Sequence, residues 1–282
     1  MRVISSKTEL IDWRHGLLRH TSIGFVPTMG ALHSGHLSLV SQALLDNDYV
    51  VTSIFVNPTQ FDNSEDLALY PRTLEADVAL IETIVSDRII VFAPTAEDLY
   101  DGQPRSKSWD FGAIANVMEG EFRMGHFDGV GTVLQLLFEL VYPTKSYFGE
   151  KDYQQLLVVK SLAQQLALPN EIIGCPIFRE DSGLAMSSRN QRLSDFQKIQ
   201  ATLIFRVMNK INEQISSVPW KDLKQWAEKQ FQEDKDWRLE YLILADAQTL
   251  ETSHVYSKNL RQRIFIAAYL GSVRLIDNMA VN

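Results

Sequence analysis

The segment Phe25-Val26-Pro27-Thr28-Met29-Gly30-Ala31-Leu32-His33-Ser34-Gly35-His36 constrains the fold more than any other stretch of the chain. An apolar run ends in a loop punctuated by proline and glycine, and an amphipathic stretch, residues 37–45, follows at once. That is how a buried strand passes through a tight turn into a helix. The spacing predicts that His33 and His36 share one face of the helix's first turn. Such a helix start carries unpaired backbone N–H groups and a partial positive charge, which favour phosphate. Two imidazoles there add hydrogen-bond donors for charge developing at a phosphorus centre.

The same alternation continues. Short apolar runs at 23–26, 49–56, 89–92, 146–148 and 171–177 predict strands, and 37–45, 74–85, 130–142 and 153–166 predict helices between them. Strand–helix–strand order implies an α/β fold, a doubly wound, mainly parallel sheet whose ligands sit beyond the carboxyl ends of the strands. The polar loops 29–36, 57–60 and 149–152 fall at those ends. Beyond residue 176 the pattern changes. Residues 195–214 and 220–233 look helical, 238–245 and 263–270 look like strands, and a third strand is expected around 252–256. This reads as a smaller α+β domain.

At 282 residues, with 45% hydrophobic and 22% charged residues, the chain is globular in composition. A formal net charge of −8 leaves no basic footprint for a nucleic-acid partner. The one cysteine, Cys175, permits no intrachain disulfide, which fits a reducing compartment. It lies in an apolar run and reads as a buried structural thiol. The first residues lack the apolar core of a signal peptide, and no apolar run reaches the roughly 18 residues of a membrane span. A soluble cytoplasmic protein is expected.

Several loops carry groups suited to anionic substrates. Asn57 and Gln60 present amides that can read hydroxyls and carboxylates, although Asn57-Pro58 is equally an ordinary turn. Arg72 and Asp77 offer groups for phosphate or magnesium, and a capped, exposed helix explains them nearly as well. In Gly149-Glu150-Lys151-Asp152, Lys151 can pair with phosphates and Asp152 can accept from ribose hydroxyls, with Gln155 one turn further on the same face. Met186-Ser187-Ser188-Arg189 places two hydroxyls and a guanidinium in a small-residue loop able to fold over a triphosphate. The Gly-rich stretch 123–132 enters a helix and is a substrate loop or a packing turn, with no catalytic role read for His126.

The His-x-Gly-His pattern resembles that of nucleotidyl-transferring enzymes. Together the stretches 27–36, 55–61, 70–73, 148–155 and 183–190, with 241–245 and 268–278 downstream, resemble the pantothenate synthetases (pantoate–β-alanine ligases) over nearly the whole chain. The resemblance implies a Rossmann-like ATP- and pantoate-binding domain over 1–175, an α+β lid domain over 176–282, and a homodimer. It implies condensation of pantoate with β-alanine through a pantoyl adenylate, releasing AMP and pyrophosphate. By the same resemblance His36, His33 and Lys151 are catalytic. ATP contacts fall on Met29, Gly30, Ala31, Leu32, His33, Ser34, Gly35, His36, Gly149, Glu150, Lys151, Asp152, Phe178, Met186, Ser187, Ser188 and Arg189. Gln60, Gln155 and Asn57 are placed at pantoate and β-alanine. Magnesium accompanies ATP, chiefly through its phosphates, with Asp77 as a candidate ligand. Two positions depart from the family pattern: Ala76 stands where a second acidic residue is common, and Met124 where a proline is. Two other readings are a nucleotidyltransferase that stops at the nucleotidylated product, and a non-enzymatic nucleotide-binding protein.

Overall fold

Six short strands pair side by side in parallel in a computed structural model that describes residues 1–61 and 64–281. They are β1 (Arg2–Ile4), β2 (Ile23–Thr28), β3 (Tyr49–Ile54), β4 (Ile89–Phe92), β5 (Lys145–Gly149) and β6 (Glu171–Cys175), in the order β1-β4-β3-β2-β5-β6. The crossovers hold α1 (Lys7–His15), α2 (Ser34–Asp46), α3 (Ser64–Leu69), α4 (Leu74–Glu82), α5 (Ala96–Tyr100), α6 (Glu119–Phe122), α7 (His126–Val141) and α8 (Tyr153–Leu166). From β2 the chain steps outward to β3 and β4, then returns to lay β5 on β2's other side, with Phe25 beside Ser146. That reversal makes the carboxyl ends of β2 and β5 the place where a parallel sheet opens a crevice.

Both faces of the sheet are covered, which is why β2 is apolar almost throughout. Val26 packs in one cluster with Val40 and Ala43 of α2, Ile81 of α4, and Val91 and Tyr147. Its neighbour Phe25 points the opposite way and meets Phe138 of α7 edge-on at 6.1 Å. β1 and α1 have no counterpart among the expected elements. A three-residue strand, paired with β4, carries too short a pattern to register.

By contacts the chain divides into two compact units, Met1–Glu150 with Gln155–Pro176, and Lys151–Gln154 with Ile177–Asn282. In the second, α9 (Asp195–Gln214) and α10 (Trp220–Gln232) pack against an antiparallel sheet of β7 (Trp237–Asp246), β8 (Gln262–Leu270) and β9 (Val273–Val281). Ser194 and Gln197 cap α9 reciprocally, and Ile204, Met208, Leu223, Phe231, Ile264 and Ile266 share its core. The expected third strand at 252–256 is not there: only an isolated bridge joins Thr252 to Ala245, and the third strand is β9. Buried Asp277 and Asn278 interrupt β9's apolar alternation and hide it from a periodicity argument. Among the described residues no helix is long and apolar enough to cross a membrane.

Candidate active site

β2 ends in a loop whose backbone is set by three devices. Thr28 Oγ1 donates to the Ser53 carbonyl at 2.7 Å and accepts from Gly30 N at 3.2 Å, tying the strand end to β3. Gly30 and Ala31 then take left-handed φ values of 80° and 49°. Glycine accepts this readily and alanine does so at a cost, so the turn needs outside support. Asp77, on α4 and 2% exposed, supplies it. Its Oδ2 accepts from Ala31 N at 3.0 Å and its Oδ1 from Leu32 N at 2.7 Å, with Thr73 Oγ1 adding a bond to Oδ2 at 3.3 Å.

The loop delivers the chain into α2, where the two histidines cap each other's backbone. His33 Nδ1 accepts from Gly35 N at 3.2 Å, and His36 Nδ1 accepts from His33 N at 3.3 Å. An imidazole nitrogen that accepts carries no proton, so each neutral ring holds its hydrogen on Nε2. The ring centroids stand 4.1 Å apart. The cap therefore turns both rings into Nε2–H donors at the start of a 13-residue helix with no acidic residue in its first turn.

Beyond β3, Asn57 opens a 3₁₀ turn, Pro58–Gln60. Asn57 is 1% exposed and its amide is committed inward. Nδ2 donates to Gln60 Oε1 and to the Gly129 carbonyl, both at 3.1 Å, while Oδ1 accepts from Tyr100 Oη at 2.7 Å and from Thr59 Oγ1 at 3.1 Å. Burial pushes the Tyr100 phenol up, so it remains a donor. Gln60 Nε2 lies 2.9 Å from the Met29 sulfur, which joins this turn to the histidine loop.

The remaining candidates fall into the two units separately. In the first, Gly149 ends β5 and Glu150 follows it, and Gln155 lies half-buried on α8. In the second, Lys151 Nζ stands 3.7 Å from Asp152 Oδ1, and Asn278 Nδ2 donates to the Lys151 carbonyl at 2.8 Å. Arg263 sits over the Tyr153 ring at 4.0 Å and also binds Asn278. Phe178 and Met186 meet through a backbone bond of 3.0 Å, closed by a turn at Gly183, where any Cβ would strike Phe205 at 2.1 Å. Arg179, braced by two bonds to Asp277 at 2.6 and 2.9 Å, holds this hairpin, and Ser187 Oγ caps the following turn by accepting from Arg189 N at 3.3 Å.

The candidate metal ligand does not fit that part. Both Asp77 oxygens face backbone N–H donors, which point positive charge where a cation would sit. Among the described residues no group of three or more His, Cys, Asp or Glu side chains could hold a metal ion. Asp77, His126 and Tyr100 act on residues 43 to 66 positions away. Such pairings have no local signature, and only the glycines at 129 and 131, inside a helix, hinted at close backbone packing.

The pantoate–β-alanine ligase family model matches residues 2–280. The chain is 52% identical over 261 residues to the pantothenate synthetase of Christiangramia forsetii, covering 93% of this chain and 92% of that protein. The crystal structure of pantothenate synthetase from Thermus thermophilus superposes with a TM-score of 0.89 at 40% identity, covering 99% of each chain. The pantoate–β-alanine ligase of Francisella tularensis, solved with β,γ ATP and β-alanine, superposes with a TM-score of 0.77 at 36% identity, covering 99% of this chain and 97% of that one. The chain belongs to the pantoate–β-alanine ligase family.

Proposed function

We propose that this chain joins pantoate to β-alanine in two steps at the expense of ATP. A pantoate carboxylate oxygen attacks the α-phosphorus, the bond to the bridging oxygen breaks, and pyrophosphate leaves. The β-alanine amine then attacks the activated carbonyl, the C–N bond forms, AMP departs with the C–O electron pair, and the amine loses a proton. The observation that carries this reading is the reciprocal histidine cap, which aims two Nε2–H donors from a helix start suited to phosphate.

In this reading His33 and His36 stabilise charge on the pentacovalent phosphorus, and His36 is the proton donor. Residues Met29 to His36 contact ATP, and Gly149 to Asp152 hold it, with Lys151 at the phosphates and Asp152 at the ribose. Phe178 and residues Met186 to Arg189 complete the ATP site, and Arg189 offsets charge on the leaving pyrophosphate. Gln60 binds pantoate and receives β-alanine, and Gln155 binds pantoate. Asn57, enclosed by its own turn, serves the substrates by holding Gln60. Magnesium enters only as ATP's own counter-ion, because the described side chains do not fit a cage for it.

We assign residues 1–175 to ATP and pantoate and 176–282 to a lid that shelters the adenylate from water. A cytoplasmic homodimer follows from the family resemblance, and light scattering on the purified chain tests the dimer. The reaction is tested by following AMP release from ATP, magnesium and pantoate, with and without β-alanine. AMP matched by pantothenate only when all are present supports the ligase, and no ATP turnover under any condition refutes it. His36→Ala is expected to slow pyrophosphate release in a single turnover about 100-fold or more, the scale of removing an oxyanion-type donor. A rate within a few-fold of wild type would remove His36 from its role.

A further inference from the structure

His126 opens α7 and is 5% exposed. Its Nδ1 lies 2.9 Å from the Gln60 carbonyl oxygen and its Nε2 lies 3.1 Å from Arg123 Nη1. A carbonyl only accepts and a guanidinium only donates. One form of the ring satisfies both: neutral, with its hydrogen on Nδ1 and a lone pair on Nε2. This is the opposite tautomer to that of His33 and His36.

One turn later α7 touches the same segment again. A Cβ on Gly129 would lie 2.3 Å from the Thr59 carbonyl oxygen and 2.6 Å from Gln60 Cα, so only glycine permits this approach. The Gly129 carbonyl accepts from Asn57 Nδ2 at 3.1 Å. The first turn of α7 thus grips residues 57–60 at their main chain and at the side chain that holds Gln60 Oε1.

We propose that His126 is a positioning residue for substrate binding: by donating from Nδ1 to the Gln60 carbonyl it fixes where the Gln60 amide points. This rests on the reading that Gln60 binds pantoate and β-alanine. His126 itself touches neither substrate.

The two amide residues separate this role from simple core filling. Asparagine places its NH₂ near the position of Nδ1 and preserves the bond to Gln60. Glutamine reaches the position of Nε2 and preserves only the contact to Arg123. H126Q is expected to weaken pantoate binding, measured by calorimetry, about tenfold or more, on the scale of a misplaced binding group. ATP affinity should stay within about twofold, and H126N should recover pantoate binding to within about threefold. Equal losses in both variants, or parallel losses for pantoate and ATP, would mean that His126 only fills space.

Q60A is measured alongside. Weak pantoate binding in Q60A with normal binding in H126Q overturns the positioning role alone. Normal binding in both overturns the Gln60 reading and this proposal with it. Imidazole nitrogen NMR of the labelled full chain provides a readout independent of activity, and a hydrogen on Nε2 of His126 would contradict the geometry.

Discussion

Asp77 shows how a residue with an obvious reading can do different work. A carboxylate near a phosphate site suggests a magnesium ligand. Its two oxygens instead receive Ala31 N and Leu32 N across 46 and 45 residues of chain. Replacement by asparagine leaves one acceptor and sets an NH₂ against a backbone N–H. Asp77→Asn is therefore expected to cost about 1–3 kcal/mol in urea unfolding, the range for a buried donor left unmatched. It should also lower turnover while the magnesium concentration for half-maximal rate stays put. A large rise in that concentration, or rescue by manganese, would restore Asp77 to the metal. The histidine pair itself was legible because its chemistry and its local geometry sit in one heptapeptide, 30–36. The partners of Asp77 and His126 were not, because their bonds close only when the sheet brings distant loops together.

At the scale of elements, the strand–helix alternation was readable where strands are buried on both faces, as in β2, β3 and β4. It failed at β9. There Asp277 pairs with Arg179, and Asn278 with Arg263 and the Lys151 carbonyl, so buried polar residues break the period without exposing the strand. α7 carries the sharper test. Alanine favours a helix over glycine by up to about 1 kcal/mol. At position 129, however, the new methyl meets backbone atoms of Thr59 and Gln60 closer than any real Cβ contact. Overpacking of this kind costs about 1–3 kcal/mol. Gly129→Ala should therefore lower the urea midpoint rather than raise it, and weaken pantoate binding through the displaced 58–60 turn. A stabilised variant with normal pantoate binding would show that α7 does not press on that turn.

The whole molecule offers one internal reporter. Cys175 is the only cysteine, closes β6 and is 6% exposed. Burial, then the charges of Glu150 and Asp46, push its thiol from an ordinary value of 9.0 up to about 11. The folded thiol holds its proton more tightly than the unfolded one. Its contribution to stability is complete below pH 9.0 and is lost as pH rises through about 11. At neutral pH the native chain presents almost no thiolate, so a thiol reagent should label it only when the first unit opens. ATP binds the folded first unit in the reading above and not the unfolded chain, and at about 100 times its Kd it adds about 2.7 kcal/mol to stability. Labelling should therefore slow about 100-fold at that ATP concentration if the thiol is reached through global unfolding. Among the described residues the Glu171–Cys175 strand is the sheet's edge, paired only with β5, so local fraying is the competing route. Fraying would leave the labelling rate indifferent to ATP while far-UV circular dichroism reported an intact fold. An ATP-sensitive rate instead shows that β6 opens only with the unit that carries the histidine loop.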